Sequence, residues 1–416
     1  MTQTDLLEEL LRPRISEFGI TRVADTTGLD RTGIPTASAV KPGTPDVIWV
    51  YSGKALTQAR ARALAIMECL ERTCALWPPA ADPVIATRED LERDSSWPTW
   101  GAERFTEGRW PRAAGAPIPW VTGETLDSNN KVWIPADLVY TGHRPVGLDA
   151  ASPFRVRTSN GLAASLDIGP AIEHGLFEIA ERDIVSHYEM TASHAGVSYL
   201  AAVGKQFGID IDWLEDSYRD DISRAVTIDL NTIPPTPRAL ADRFIAAGFE
   251  LVVKALPNDF GLPAFGAACM EPVTFTQVLG CAGYAARATP EEALTSALLE
   301  LAQTRATDLQ GAREDRSDIE KRRLPHTPSS HWLATPSTPV SYDDASTMFP
   351  AAARQAETHA SDAFKAAGLT DIAIVEFPSP PGISAVRVVV PGAETWHSTG
   401  GEASLGPRLA KMVNRG

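Results

Sequence analysis

The stretch Ala61-Arg62-Ala63-Leu64-Ala65-Ile66-Met67-Glu68-Cys69-Leu70-Glu71-Arg72 lies in a segment that reads as helix from Thr57 to Leu76, and its pattern returns twice. At matching positions a second helix, from about Pro170 to Glu189, carries Ala171, Gly175, Leu176, Phe177, Glu178, Ala180, Glu181 and Arg182. A third, from Thr289 to about Asp308, carries Ala293, Ala297, Leu298, Leu299, Glu300, Ala302, Gln303 and Thr304. In each copy two acidic or amide side chains stand three residues apart, so both project from one face within a single turn. Ala65, Gly175 and Ala297, just before the first acid, are expected to let the helices approach one another closely. Gathering Glu68, Glu71, Glu178 and Glu181 in one place is costly without cations. Magnesium offsets that cost, because it takes oxygen ligands and prefers a few carboxylates plus phosphate oxygens. The competing reading is three ordinary amphipathic helices with solvated glutamates. Threefold recurrence, twice with the same Glu-x-x-Glu-Arg ending, argues against it.

Composition narrows the partners. With 416 residues, 44% hydrophobic and 22% charged, the chain can bury a large core, and we expect a single domain over 1–416. A formal charge of −15 with no basic stripe argues against nucleic acid as a partner. An acidic protein that takes a nucleotide does so through divalent cations bridging carboxylates to phosphates. No run of about twenty apolar residues and no signal-like start is found, so no membrane association and a cytoplasmic location are expected. Cys69, Cys74, Cys269 and Cys281 are too few and too scattered for a disulfide framework or a zinc site. Cys69 lies between Glu68 and Glu71, which raises a thiol pKa.

Around the three helices the pattern predicts α+β layers. A first helix over Asp5–Phe18 is interrupted by Pro13, followed by strands at Gly19–Asp25 and Asp46–Tyr51. Residues of about 78–155, rich in Pro, Trp and Gly, read as an inserted or peripheral β-rich layer. Strand, helix and strand alternate from about 220 to 285, and Thr289 with Glu292 has the spacing of a capping box. Residues 325–339 read as an exposed loop, and Val386–Val390 as a late buried strand.

Several of these residues together resemble the YcaO family. The resemblance runs through Gly19-Ile20-Thr21-Arg22-Val23-Ala24-Asp25, Gly28-Leu29-Asp30-Arg31 and Gly53-Lys54 ahead of Met67-Glu68-Cys69-Leu70-Glu71-Arg72. It continues through Ser159-Asn160-Gly161-Leu162-Ala163 ahead of Glu178-Ile179-Ala180-Glu181-Arg182-Asp183. Glu300-Leu301-Ala302-Gln303-Thr304-Arg305 with Gly311-Ala312-Arg313, and finally Val390-Pro391-Gly392 with Leu405-Gly406-Pro407-Arg408, complete it in family order.

The resemblance implies a fold of helices and mixed or antiparallel sheets around a central ATP site. It implies ATP and Mg2+ as cofactors, with Glu68, Glu71, Glu178 and Glu181 on the metal side and Lys54, Asn160, Gln303, Arg305 and Arg313 on the nucleotide side. Arg72 and Arg182 are expected as structural partners of the glutamates. Leu64 stands where relatives commonly have serine, and His174 fills the place one turn before Glu178, where a helix-surface or packing role is expected. The implied reaction is phosphorylation of a peptide backbone amide oxygen followed by attack of a nucleophile, giving an azoline or a macrocyclic amidine in maturation of a ribosomally made peptide. Thioamidation with a partner protein and a sulfide source is the alternative, and a non-catalytic nucleotide-binding accessory is a third. The partners implied are a precursor peptide and a protein that delivers peptide or sulfur; a homodimer stays open. No residue is assigned to catalysis itself.

Overall fold

The computed structural model describes residues 3–77, 83–106, 115–145, 150–154, 158–206, 224–274, 277–311, 332–334, 336–354, 359–395 and 408. Helix α1 (Gln3–Leu11) is followed by strands β1 (Arg22–Asp25), β2 (Thr36–Val40) and β3 (Val50–Lys54), and then by helix α2 (Gln58–Cys74). Next come β4 (Val84–Ala86), α3 (Arg88–Asp94), β5 (Ile118–Thr125), β6 (Lys131–Pro135), the single turn α4 (Ala136–Val139), β7 (Leu162–Ser165) and the long α5 (Ile168–Gln206). Strand β8 (Val226–Thr227), helix α6 (Pro235–Ala246), strands β9 (Glu250–Ala255), β10 (Ala264–Thr274) and β11 (Gln277–Ala286), and helix α7 (Pro290–Gln310) form the next group. Short helices α8 (Tyr342–Ser346), α9 (Ala351–Arg354) and α10 (Ala360–Ala366) lead to β12 (Ala373–Phe377) and β13 (Ser384–Val389). The fold is α+β, as expected.

Helix starts follow local chemistry. The Thr57 hydroxyl accepts the Arg60 N–H at 3.3 Å and opens α2. At α7 Thr289 caps the helix as expected: its Oγ1 accepts the Glu292 N–H at 3.3 Å and donates to Glu292 Oε2 at 2.9 Å, a hydroxyl-to-carboxylate variant of the capping box. That helix ends at Gly311 in the left-handed conformation. α1 stops before Pro13, in a 3-10 turn over Arg12–Arg14. At the start of α5 it is the Asp167 backbone carbonyl that takes the Ala171 N–H, at 3.3 Å.

Three antiparallel sheets carry these helices, in strand orders β1-β2-β3, β11-β10-β9-β8 and β4-β5-β12-β13-β7, with β6 also paired to β5. The strands of the 78–155 segment join this last sheet, where β5 meets β12 at Ala373↔Thr125 and Ile374↔Glu124. In every sheet the strand that leads into a glutamate helix is an edge: β3 into α2, β7 into α5, β11 into α7. Each helix packs on its own edge strand and on the edge strand of another sheet, α2 on β7, α5 on β11 and α7 on β3, so the three units close into a ring.

The small helix residues act differently from the expectation. Ala65 and Ala297 lie against Gly53 and Gly283 of the edge strands, where a Cβ on either glycine would run into the helix backbone. Gly175 likewise faces Gly161 and Val388. Close approach is therefore helix to strand, and the glutamates meet because the strands are shared. Among the described residues no helix is long and apolar enough to cross a membrane. The expected loop at 325–339 falls largely outside the described residues; Trp332–Ala334 form a helical turn, and Val340 bridges to Ile228.

Candidate active site

The ring brings the acids of α2 and α5 to one cleft. Glu68 Oε2 accepts the backbone N–H of Ser52 on β3 at 2.7 Å, and Glu178 Oε2 accepts that of Gly161 at 3.3 Å, so main chain aims both carboxylates. Burial, then the charges of Glu178 and Glu68, push the Glu71 carboxyl well above the ordinary range. Burial likewise lifts Glu178 to about 7, with Glu181 adding to the rise while Arg182, Arg387 and the Gly161 N–H oppose it. Among the described residues no three His, Cys, Asp or Glu side chains converge closely enough to chelate one ion alone. The donor set is hard oxygen, offered in pairs and more negative than the cleft tolerates. That fits magnesium, which takes one or two carboxylates and completes its shell with phosphate oxygens and water.

Facing this wall are cations. Lys54, the last residue of β3, forms an ion pair with Glu300 of α7. Arg287, one residue past β11, stands 3.6 Å from Glu181 of α5. Burial, then Arg287, bring Lys54 down to about 8 against the opposing charges of Glu181 and Glu68, and beside Glu300 the amine stays charged at neutral pH. His174 opens to solvent, yet the protein around it and then Arg287 and Lys54 hold its ring at about 4. It is neutral at physiological pH. It stands exposed on α5 beside Lys54 and Arg287.

The ring's symmetry explains the imbalance. At two of its three corners a strand-end cation meets a glutamate of the helix packed on that strand: Lys54 with Glu300, and Arg287 with Glu181. At the third, where α2 packs on β7, the equivalent strand-end residues are Ala164 and Ser165. No strand-end cation is supplied there, and there Glu71 and Glu178 are pushed upward.

The remaining sequence candidates are distributed as follows. Asn160 is buried, and among the described residues its Oδ1 meets no donor; it lines a cavity of about 30 Å³ with Arg387, Thr106 and Thr395. Gln303 is half-buried on α7, three residues after Glu300. Arg305 is held by Asp30 in a two-pronged ion pair at 2.8 and 3.0 Å and lies over the Phe249 ring at 3.9 Å. Arg313 lies outside the described residues. Arg72 grips Asp46 at 2.7 and 2.9 Å rather than Glu68 or Glu71, because both oxygens of Asp46, already oriented by the Val47 N–H and the Tyr51 hydroxyl, meet the guanidinium fork. Arg182 stands 3.9 Å from Glu181. Leu64 packs against the core between β1–β3 and α2.

None of the four cysteines is in a disulfide, and burial, with Glu68 adding, pushes Cys69 up to about 12. Next to Glu181, the buried Asp183 accepts from Arg408 and from the Glu394 N–H at 2.8 Å and faces His187 at 3.5 Å. Burial would raise its carboxyl, but His187 and Arg408 hold it low. Sequence reasoning missed Arg287 and Arg387. A signal for the first existed: Arg287 stands just before the Thr289 cap, as Lys54 stands just before the Thr57 cap.

Comparison with known proteins agrees with this architecture. Residues 52–394 match the family described as YcaO cyclodehydratase, ATP- and Mg2+-binding. An uncharacterized protein of Methanothermobacter thermautotrophicus is 30% identical over 393 residues, covering 92% of each chain. An uncharacterized protein in the tfuA 3′ region of Rhizobium leguminosarum bv. trifolii is 28% identical, over 97% of this chain and 90% of that one. The solved structure of YcaO from Methanopyrus kandleri bound with AMPPCP and Mg2+ superposes with a TM-score of 0.66 at 20% identity, covering 98% of this chain and 95% of that one. A heterocyclase in complex with substrate and cofactor gives a TM-score of 0.69 at 18% identity over 94% of this chain, which spans about half, 52%, of the heterocyclase's length. The matched region takes in all three glutamate helices, and on that evidence the chain belongs to the YcaO family.

Proposed function

We propose that the cleft binds ATP with magnesium and that the chain uses it to activate a backbone amide of a peptide. One observation carries this reading: a group of carboxylates that calls for cations lies beside Lys54 and Arg287, which call for anions. A metal-bound polyphosphate satisfies both at once. Glu68, Glu71, Glu178 and Glu181 would hold magnesium. Lys54, Asn160, Gln303 and Arg313 would face the nucleotide, and Arg305 would act through Asp30, holding the 27–35 loop.

The nucleotide supplies a phosphoryl group to the amide oxygen, which then leaves as phosphate after a nucleophile adds to the amide carbon. The protein's share is to position the groups and to neutralise charge on the phosphates. A Cys, Ser or Thr side chain as nucleophile yields an azoline and an amine an amidine; the family description and the likeness to a heterocyclase favour these. A second reading is thioamidation with a partner protein and a sulfide source; the Rhizobium relative is named for the tfuA 3′ region, and the product of such a neighbouring gene is the candidate partner.

The test is to incubate the purified chain with ATP, Mg2+ and peptides encoded beside its gene, with and without the neighbouring gene products, and to weigh the peptides. Loss of water supports azoline or amidine formation, and exchange of oxygen for sulfur supports thioamidation. Tight Mg2+-dependent ATP binding with no turnover and no altered peptide would make the chain an accessory protein instead.

A further inference from the structure

We propose that Arg287 is a placeholder cation: it holds Glu181 in the ligand-free protein and, when magnesium takes that carboxylate, turns to a phosphate group of the nucleotide. The inference rests on the nucleotide reading above.

The grip of Arg287 on Glu181 differs in kind from the other buried arginine pairs. Arg305 and Arg72 close on Asp30 and Asp46 with both prongs at 2.7–3.0 Å, and Arg305 is only 5% exposed. Arg287 reaches Glu181 with a single contact at 3.6 Å, and its side chain is 24% exposed. Two-pronged, desolvated pairs are costly to break, while a single long contact open to solvent exchanges at small cost.

The backbone beneath is fixed. The Arg287 N–H donates to Pro263 O at 3.0 Å, and Nη1 donates to the Ala286 carbonyl at 2.6 Å. The guanidinium is thus kept in place by a neutral carbonyl at its Nη1, while the hold of that same nitrogen on Glu181 is long and loose. Its neighbours leave it in need of an anion: Lys54 and His174 lie close enough to share its field, and Glu181 is the one carboxylate within salt-bridge range among the described residues. If Glu181 turns to a metal ion, the guanidinium loses its only described carboxylate partner. A phosphate oxygen on the same ion is the anion nearest to hand, and the guanidinium fork suits it.

The proposal makes two predictions of opposite sign for one substitution. In Arg287→Gln the nearer of the two cations beside Glu181 is gone, leaving Arg182 at 3.9 Å, so Mg2+ alone should bind several-fold more tightly. The phosphate contact is gone too, so Mg2+-tripolyphosphate should bind about tenfold more weakly or worse. Arg287→Lys keeps the charge but loses the fork and should fall between the two, which gives a second reading if the Gln variant folds poorly. Isothermal titration of wild type and both variants with Mg2+, with Mg2+-tripolyphosphate and with Mg2+-ATP reads all of this. Affinities that fall together, as general damage to the site would cause, or that stay unchanged while wild type binds both ligands, overturn the role of Arg287 alone. A wild type that binds neither Mg2+-tripolyphosphate nor Mg2+-ATP overturns the nucleotide reading with it.

Discussion

Glu178 condenses the argument at the residue scale. Its folded-state value of about 7 lies above the ordinary carboxyl value of 4.5, so between these the unfolded chain has released a proton that the folded chain still holds. Metal-free protein therefore loses stability as pH rises through that window and stays less stable above it. Glu178→Gln removes the charge, and in metal-free protein near pH 8 it should gain on the order of 1–2 kcal/mol in urea unfolding. The same variant should lose the stabilisation that Mg2+ with nucleotide confers on wild type. A loss of metal-free stability would contradict the reading of Glu178 as over-charged. Arg305 is the opposite case: its removal in Arg305→Met leaves Asp30 buried and uncompensated, which should cost about 3–5 kcal/mol in the same assay. The gathering of Glu68, Glu71 and Glu178 was legible because their helix pattern repeats within one chain. The pairing of Arg305 with Asp30 was not, because the two lie 275 residues apart and nothing local announces it.

At the scale of elements, the site is set by how closely helices ride on edge strands. Gly283→Ala would press a methyl group into the backbone of α7, and a cost of about 1–3 kcal/mol is expected, with weaker nucleotide binding as the helix shifts. Gly28→Ala, where nothing lies within 4 Å, is the control and should be nearly neutral. Equal effects in thermal unfolding would show that helix-to-strand contact does not govern the site. The helices were readable from their caps and apolar period, and α7 starts where the Thr289–Glu292 box places it. Strands β2 and β11 were not. Thr36-Ala37-Ser38-Ala39-Val40 and the Gly- and Ala-rich β11 lack the bulky alternation that marks a strand, since their small side chains exist to admit a helix.

At the scale of the whole molecule, three units close into a ring in which two corners are neutralised by Lys54 with Glu300 and Arg287 with Glu181, while the third has no strand-end cation and is the place proposed for the metal. Supplying the missing cation tests this directly. Ser165→Lys at the end of β7 should raise metal-free stability above about pH 7, where Glu71 and Glu178 otherwise repel, and should weaken Mg2+-dependent binding by competing for the same carboxylates. An unchanged affinity in calorimetry would deny that the third corner is the metal's place. The most direct measurement of the account as a whole is calorimetric binding of a nonhydrolysable ATP analogue to wild type, with and without Mg2+, and to Glu71→Gln and Glu178→Gln. Binding should be strong only when analogue and Mg2+ are both present and should be lost in both variants. Binding that is equally strong without Mg2+, or that survives both substitutions, would contradict a site built from carboxylates and cations facing one another.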